Sequence, residues 1–357
     1  MRILFLVKKN ETYGFQSYPG YSENCESKPS VYVKKSAGLY NSTRFIVEGL
    51  AARGVHAKIV EVQDNNAIDK EVTLFKPQAV VIEALWVVPE KFQVLQRLHP
   101  SVQWFCHLHS HMPFLALEGI ALEWLLSYAG IGVGLIANSE ASYEALRCVL
   151  ESDEVIYLPN VYIPEDRTRA VEHHKRHRID VGCFGAVRPM KNHLLQALAA
   201  IEFARDCRKH LHFHINGSRT EVGGEPVLKN LRRLFEMTPH AELIEHPWMD
   251  PSMFLNVLRD EIDIGLQVSM SETFNVVTAD YVTAGIPVVV SKQVPWVSSF
   301  CQAREDSALD IVDKMHKMLS ARWVIRRNLK LLKKHSKRAQ DAWFEFVRAV
   351  YVRSQSG

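Results

Sequence analysis

The stretch from Glu261 to Trp296, EIDIGLQVSMSETFNVVTADYVTAGIPVVVSKQVPW, constrains what this chain can fold into more than any other. Ile262 to Val268 is an apolar run bounded by charge, which reads as a buried strand. A polar break from Ser269 to Thr273 follows, with Glu272 its only charged residue. A short helix carrying Asp280 comes next and ends at Gly285, in the usual C-terminal role of glycine. Ile286 to Val290 then form a second apolar strand. Strand, loop, helix and strand in this order belong to an open α/β sheet. They put the loop at a strand's carboxyl end, where backbone N–H groups converge on an anion.

The rest of the chain repeats that alternation. Strands are expected over Arg2–Val7, His56–Val62, Ala79–Glu83, Val102–Leu108, Val133–Ala137 and Val155–Leu158. Helices are expected over Leu39–Ala52, Asp69–Phe75, Glu90–Arg97, Leu115–Tyr128 and Ala141–Leu150. The polar stretch from Pro159 to Arg178 has a linker's composition, and the pattern then restarts. Strands follow at Ile179–Phe184, Leu211–Ile215 and Glu242–Glu245, with helices at Asn192–Asp206, Glu225–Glu236 and Ser252–Arg259. From Ala308 the chain reads helical to its end. The expected fold class is α/β: two Rossmann-like doubly wound units, 1–165 and 179–320, and a C-terminal helical segment, 321–357. The loop from Asn10 to about Ser30, rich in Gly, Ser, Asn, Tyr and Pro, is of the long kind that carries function.

Charge and composition exclude several classes. No apolar run approaches the roughly 20 residues of a membrane span. MRILFLVKKN reads as a first strand, being too short and too quickly charged for a signal peptide. The six cysteines show no C-x-x-C spacing, which fits reduced thiols in a cytoplasmic protein. A net charge of +3 announces no polyanion partner by itself. Its distribution is less even, with a basic run at His173–Arg178 and eight Lys or Arg between Arg322 and Arg338. A solvated linker and a solvated helix face are the readier explanation of the two runs.

A second constellation, Gly185-Ala186-Val187-Arg188-Pro189-Met190-Lys191-Asn192, follows the first strand of the second unit. Arg188 and Lys191, three apart at a helix start, can both face a diphosphate, one as a planar fork and one as a point charge. Alone they are equally two exposed basic residues at a helix start. A third lies at the end of a strand, His107-Leu108-His109-Ser110-His111-Met112-Pro113-Phe114. Alternation would put the three imidazoles on one face, as a metal site requires. No carboxylate stands near them in sequence, however, and no metal site is expected. Weaker signals are Asn138-Ser139, Asn160, Asn216-Gly217 at an expected strand end, and Trp248, each as readily a packing residue.

Together, SETFNVVTAD with AGIPVVVS and G-x-x-R-x-x-K-N resemble the retaining nucleotide-sugar glycosyltransferases of GT-B architecture, of the family 4-like, E-x7-E type. The resemblance is sparse over residues 1–100 and dense over 101–297. GLYNS, EALWV, HSHMPFLALEG and SETFNVV are also similar to glycosyltransferases carried by large tailed bacteriophages. Here Asp280 replaces the second glutamate and Asn275 a more usual glycine. The resemblance implies an interdomain cleft, with the C-terminal helix packed back on the first domain. Arg188 and Lys191 would neutralise the leaving diphosphate, while Glu272 and His109 act at the transferring sugar. Asp280 would hold the ribose, the Phe274-Asn275-Val276 loop would offer N–H groups, and Gly185, Asn216 and Trp248 would lie around the nucleotide. It implies a UDP-sugar donor, no required cofactor, and an acceptor hydroxyl. That acceptor is either a hydroxymethylated pyrimidine of phage DNA, which would place the enzyme in host cytoplasm, or a glycan or lipid. An epimerase, a phosphorylase or a non-catalytic nucleotide-sugar-binding protein of the same layout stays open.

Overall fold

The computed structural model describes residues 1–9, 37–151, 154–164 and 177–356. The loop expected at 10–30 and most of the basic run at 173–178 lie outside these residues. The first sheet is built from β1 (Arg2–Lys8), β2 (His56–Val62), β3 (Ala79–Glu83), β4 (Gln103–Leu108), β5 (Gly134–Ala137) and β6 (Val155–Tyr157). Its order is β2-β1-β3-β4-β5-β6, and every pairing is parallel. Parallel strands need crossovers, supplied by α1 (Ala37–Ala51), α2 (Ala67–Phe75), α3 (Pro89–Leu98), α4 (Met112–Leu115), α5 (Ala121–Gly130) and α6 (Glu140–Leu146). Helices on both faces bury the strands, which accordingly read as unbroken apolar runs such as ILFLV and AVVI.

The second sheet contains β7 (Arg178–Val187), β8 (His210–Thr220), β9 (Ala241–Glu245), β10 (Ile264–Gln267), β11 (Val288–Ser291) and β12 (Gln302–Ala303). It is again parallel, in the order β12-β11-β10-β7-β8-β9. Its helices are α7 (His193–Asp206), α8 (Gly224–Glu236), α9 (Pro251–Glu261), α10 (Val276–Ala284) and α11 (Ala308–Ser320). Beneath α10, Gly182 and Gly265 lie side by side on β7 and β10 and leave room for Tyr281. A Cβ on Gly265 would stand 2.6 Å from the Tyr281 ring, so the missing side chains set how closely α10 lies against the sheet.

α12 (Trp323–Ser356) is 34 residues long, or about 51 Å at 1.5 Å per residue, and joins the two halves. Val324 and Leu332 belong to the core of the second sheet. Further along, Ala339, Trp343, Phe346 and Val347 belong to that of the first. The Trp343 ring lies 5.8 Å from Phe5 and 5.2 Å from His107, and its indole N–H donates to the Pro159 carbonyl at 3.1 Å.

Three expectations need correction. The single helix expected over Leu115–Tyr128 is two, because tight turns at Leu117 and Glu118 and then Gly119 interrupt it. The C-terminal helical stretch breaks at Ala321, where the backbone leaves the helical region. β7 and β8 both outrun their expected ends, with register shifts between Gly182 and Val187, so Asn216-Gly217 lies inside a strand.

Trp343 is 1% exposed and central to the contact between α12 and the first sheet. Trp343→Ala is expected to cost about 3–5 kcal/mol in urea unfolding. Leu309→Ala, at a side chain 75% exposed, should stay within about 0.5 kcal/mol of the parent.

Candidate active site

In the second sheet β7 lies between β8 and β10, so the strand order reverses at β7. The loops leaving β7 and β10 therefore diverge and open a crevice at their carboxyl ends. Gly185 sits near the end of β7 with φ +117°, a conformation that only glycine adopts readily. Its N–H donates to Asn216 Oδ1 at 2.9 Å. The side of Gly185 where a Cβ would stand faces the end of Lys191, with Cε 3.8 Å away. Beyond the turn Pro189–Lys191, Asn192 takes a left-handed conformation at φ 57° and donates to the carbonyls of Val268 and Glu305 at 3.1 and 2.8 Å. This anchors the β7 loop to the end of β10.

The crevice is centred on an ion pair. Lys191 Nζ meets Glu272 Oε1 at 2.5 Å, with the two side chains only 11% and 7% exposed. Arg188 pairs with Glu221 at 3.2 Å, and its guanidinium lies 4.7 Å from the centre of the Phe114 ring of the first half. Glu221 also takes Arg219 at 2.6 Å, and Arg219 covers one face of Trp248 at 4.3 Å.

The loop between Glu272 and α10 turns its side chains inward. Phe274 is 2% exposed and stacks on Trp296 and His335 at 5.4 and 5.1 Å, so its ring faces the core and not the crevice. Asn275 occupies the left-handed region at φ 64°, which asparagine tolerates better than most residues. Its Oδ1 accepts from Thr278 N at 2.8 Å as the helix cap, and its Nδ2 donates to Gln267 at 3.0 Å. What Phe274, Asn275 and Val276 offer an anion is thus backbone: the N–H groups that open α10. Asn216 likewise works inward, since it holds the Gly185 turn and donates to the Pro247 carbonyl at 3.4 Å.

Asp280, one helical turn further on, is not joined to the Lys191–Glu272 pair. Its Oδ1 accepts from the Tyr162 hydroxyl at 2.7 Å. Burial pushes its carboxyl up to about 7, against the lowering effect of that hydrogen bond. Tyr162 itself packs between Phe45 of α1 and Phe274, at 5.0 and 6.4 Å.

The first half contributes the end of β4. No carboxylate stands near His107 to His111 in sequence, yet the parallel register places Glu83 of β3 directly beside His107. Glu83 Oε2 meets His107 Nδ1 at 3.0 Å and His109 Nε2 at 2.6 Å. Burial alone would raise the Glu83 carboxyl, but the charge of His107 and the hydrogen bonds from both imidazoles hold it at about 2. Burial, and then the charge of His107, lower the His109 pKa. The arrangement is an ionised carboxylate fixing a neutral His109. The three donor atoms are close enough to share an ion, but here the two imidazoles close on Glu83. Glu83 was missed in the sequence; its one signal was an acid ending the apolar run AVVIE. Glu221 and Tyr162, both bonded to site residues, left none.

The halves touch across the crevice. Thr273 donates to the His109 carbonyl at 3.4 Å and accepts from Asn138 at 3.3 Å. His111 bridges Ser139 of the first half at 2.8 Å and Ser271 of the second at 3.4 Å. Thr273, next to Glu272 in the chain, thus links the second half to the backbone of His109.

No family profile matches the chain, and no curated protein matches it either. Solved structures do. The sucrose-phosphate synthase of Thermosynechococcus elongatus is 12% identical over 100% of both chains, with a TM-score of 0.66. A UDP-forming trehalose-phosphate synthase of Burkholderia xenovorans is 10% identical over 80% of this chain and 76% of its own, with a TM-score of 0.61. S. aureus TarM, solved with Fondaparinux, alpha-GlcNAc-glycerol and UDP, is 12% identical over 74% of this chain and 55% of its own, with a TM-score of 0.55. The shared feature is the fold: two parallel six-stranded sheets with flanking helices, the GT-B architecture.

Asp280 makes stability depend on pH in a stated direction. A carboxyl raised from 3.8 to about 7 binds its proton more tightly folded than unfolded, so its contribution is lost as pH climbs between those values. Asp280→Asn should therefore gain stability over the parent as pH rises from about 4 to about 7, measured by urea unfolding at both. A pH-independent difference would contradict the burial of a titrating carboxyl.

Proposed function

We propose that the protein is a retaining glycosyltransferase that moves a sugar from a nucleotide diphosphate, a UDP-sugar above all, to an acceptor hydroxyl. One observation carries this reading. The segment that carries Arg188 and Lys191 and the segment that carries Glu272 and runs into α10 are joined by the Lys191–Glu272 ion pair at the switch point of the second sheet. Support also comes from the structural neighbours, one described as UDP-forming and one solved with UDP.

In this reading residues 179–320 hold the donor, 1–165 hold the acceptor, and 321–357 tie the two together. Lys191 keeps Glu272 as partner and offers its other two donors to the diphosphate. Arg188 exchanges Glu221 for a phosphate oxygen. Negative charge on the leaving diphosphate then grows against two cations and a helix N-terminus, where stabilisation lowers the barrier most. No metal is required for that neutralisation. Glu272 and His109, the latter held neutral and oriented by Glu83, face the sugar as it gains positive character. Asp280 releases Tyr162 to take the ribose, and Trp248 offers the base the ring face that Arg219 leaves open. Closure of the halves removes water that would hydrolyse the donor.

For the acceptor, the basic stripe of α12 favours a polyanion, and a hydroxymethylated pyrimidine in DNA fits both it and the phage resemblance. Arg326, Arg327, Lys330, Lys333, Lys334, Lys337 and Arg338 are all exposed at helical spacing, and Arg322 is exposed just ahead of the helix. Among the described residues no helix is long and apolar enough to cross a membrane. A glycan acceptor, or an epimerase that needs no acceptor at all, is separated from this reading by the same assay.

That assay measures nucleotide release from UDP-sugars with and without hydroxymethylated DNA. Arg188→Ala should lower turnover about 10²–10³-fold with an unchanged unfolding midpoint, and Lys191→Ala should lower it as much while also lowering the midpoint, because it leaves Glu272 buried and unpaired. Parent-like rates in both would remove the diphosphate role. DNA affinity should fall linearly in log–log with salt, and a flat response would exclude a phosphate-bound acceptor.

A further inference from the structure

β8 carries the sequence His210-Leu211-His212-Phe213-His214, and alternation along a strand puts its three imidazoles on one sheet face. On that face the register aligns Asp180 of β7, His212 and Glu242 of β9 in one row. Beside them stand His246, just after β9, and Glu261, the last residue of α9. This face belongs to the second sheet, on the side where Phe184 packs against Phe254 of α9. The crevice reading uses none of these groups.

We propose that His214, His246 and Glu261 form a binding site for a divalent transition metal of the zinc class. His214 Nδ1 and His246 Nε2 lie 2.8 Å apart, and Glu261 Oε2 lies 3.9 Å from the first and 4.0 Å from the second. A tetrahedral zinc with bonds near 2.05 Å separates its ligands by roughly 3.3 Å, so each spacing is within about 0.7 Å of what the ion needs. The far nitrogen of His214 is already fixed: Nε2 sits 3.1 Å from Oδ1 of Asp180, a carboxylate with no exposure. Its other oxygen, Oδ2, takes Arg178 Nε at 3.0 Å. With Nε2 donating to Asp180, the Nδ1 lone pair is directed at His246. The carboxylate–histidine pairing is the support that zinc-bound imidazoles ordinarily have.

Glu261 is 45% exposed and His246 12%, so the remaining coordination position faces solvent. Nitrogen and carboxylate donors at these distances suit zinc, cobalt or nickel, and too few oxygens are present for calcium. The ion would tie the end of α9 to β8 and to the segment that leads into Trp248. Its place is structural, and it does not depend on the glycosyl-transfer reading.

The test is a cobalt titration of chelator-treated full-length protein, read by the visible absorption of tetrahedral cobalt and displaced by zinc. One equivalent should bind, with a rise in unfolding midpoint. His246→Ala should abolish the band, Glu261→Gln should weaken binding at least tenfold, and Asp180→Asn should weaken it about 10–100-fold. His212→Ala should bind as the parent does. Circular dichroism of each variant separates lost ligands from lost fold. Absence of any band or heat in the folded parent overturns the proposal, leaving a hydrogen-bonded relay from His246 through His214 to Asp180. Loss of the band in His212→Ala with its retention in His246→Ala also overturns it, by moving the ion to the Asp180–His212–His214 group.

Discussion

A lysine and a glutamate 81 residues apart in sequence meet in a nearly closed crevice, and the rest of the site is arranged to keep them there. Two charges so little exposed are tolerated only as a pair, because removing one leaves the other buried and uncompensated. The surrounding backbone enforces the meeting. Gly185 turns where a side chain could not, and Asn192 fastens the Lys191 loop to the end of β10. Asn275 starts α10 from a left-handed turn, while Tyr281 anchors that helix over two glycines. The result is an ion pair at the loop that runs into α10, which in the proposed reading is where the anionic leaving group sits.

The two halves are held together unequally. Across the crevice the bonds of Thr273 to Asn138 and His109, and of Ser271 to His111, are all 3.3–3.4 Å, the long end of what counts as a hydrogen bond. Behind it, α12 is packed into both cores, and Trp343, His335 and Ser336 bond the backbone of the connecting segment at Pro159, Asn160 and Tyr162. Tyr162, on the connecting segment that α12 holds, also closes Asp280.

Much of this was legible in the sequence because parallel strands buried on both faces declare themselves as apolar runs. Glycines and polar breaks mark where those strands stop. The motifs around Arg188, Lys191 and Glu272 could be placed because each directly follows such a strand. What escaped is what register and packing decide. Glu83 comes beside His107 and His109 only through the β3–β4 pairing, so 24 residues of sequence separate partners that share one hydrogen-bonded unit. Asn216 looked like the end of a strand because polar residues usually mark one, whereas here it sits where the register between β7 and β8 shifts. Phe274 and Asn275 lie at the expected loop, but a chain that turns through φ 64° sends their side chains into the core. The histidines of β8 alternated plainly in the sequence; their carboxylate partners arrive from β7, β9 and α9.

The most direct test is a crystal structure of the protein with UDP bound. The account requires the diphosphate in the crevice, within hydrogen-bond distance of Arg188, Lys191 and the first N–H groups of α10, with Glu221 released from Arg188. A diphosphate bound elsewhere, or an Arg188 still closed on Glu221 with the nucleotide in place, would contradict it.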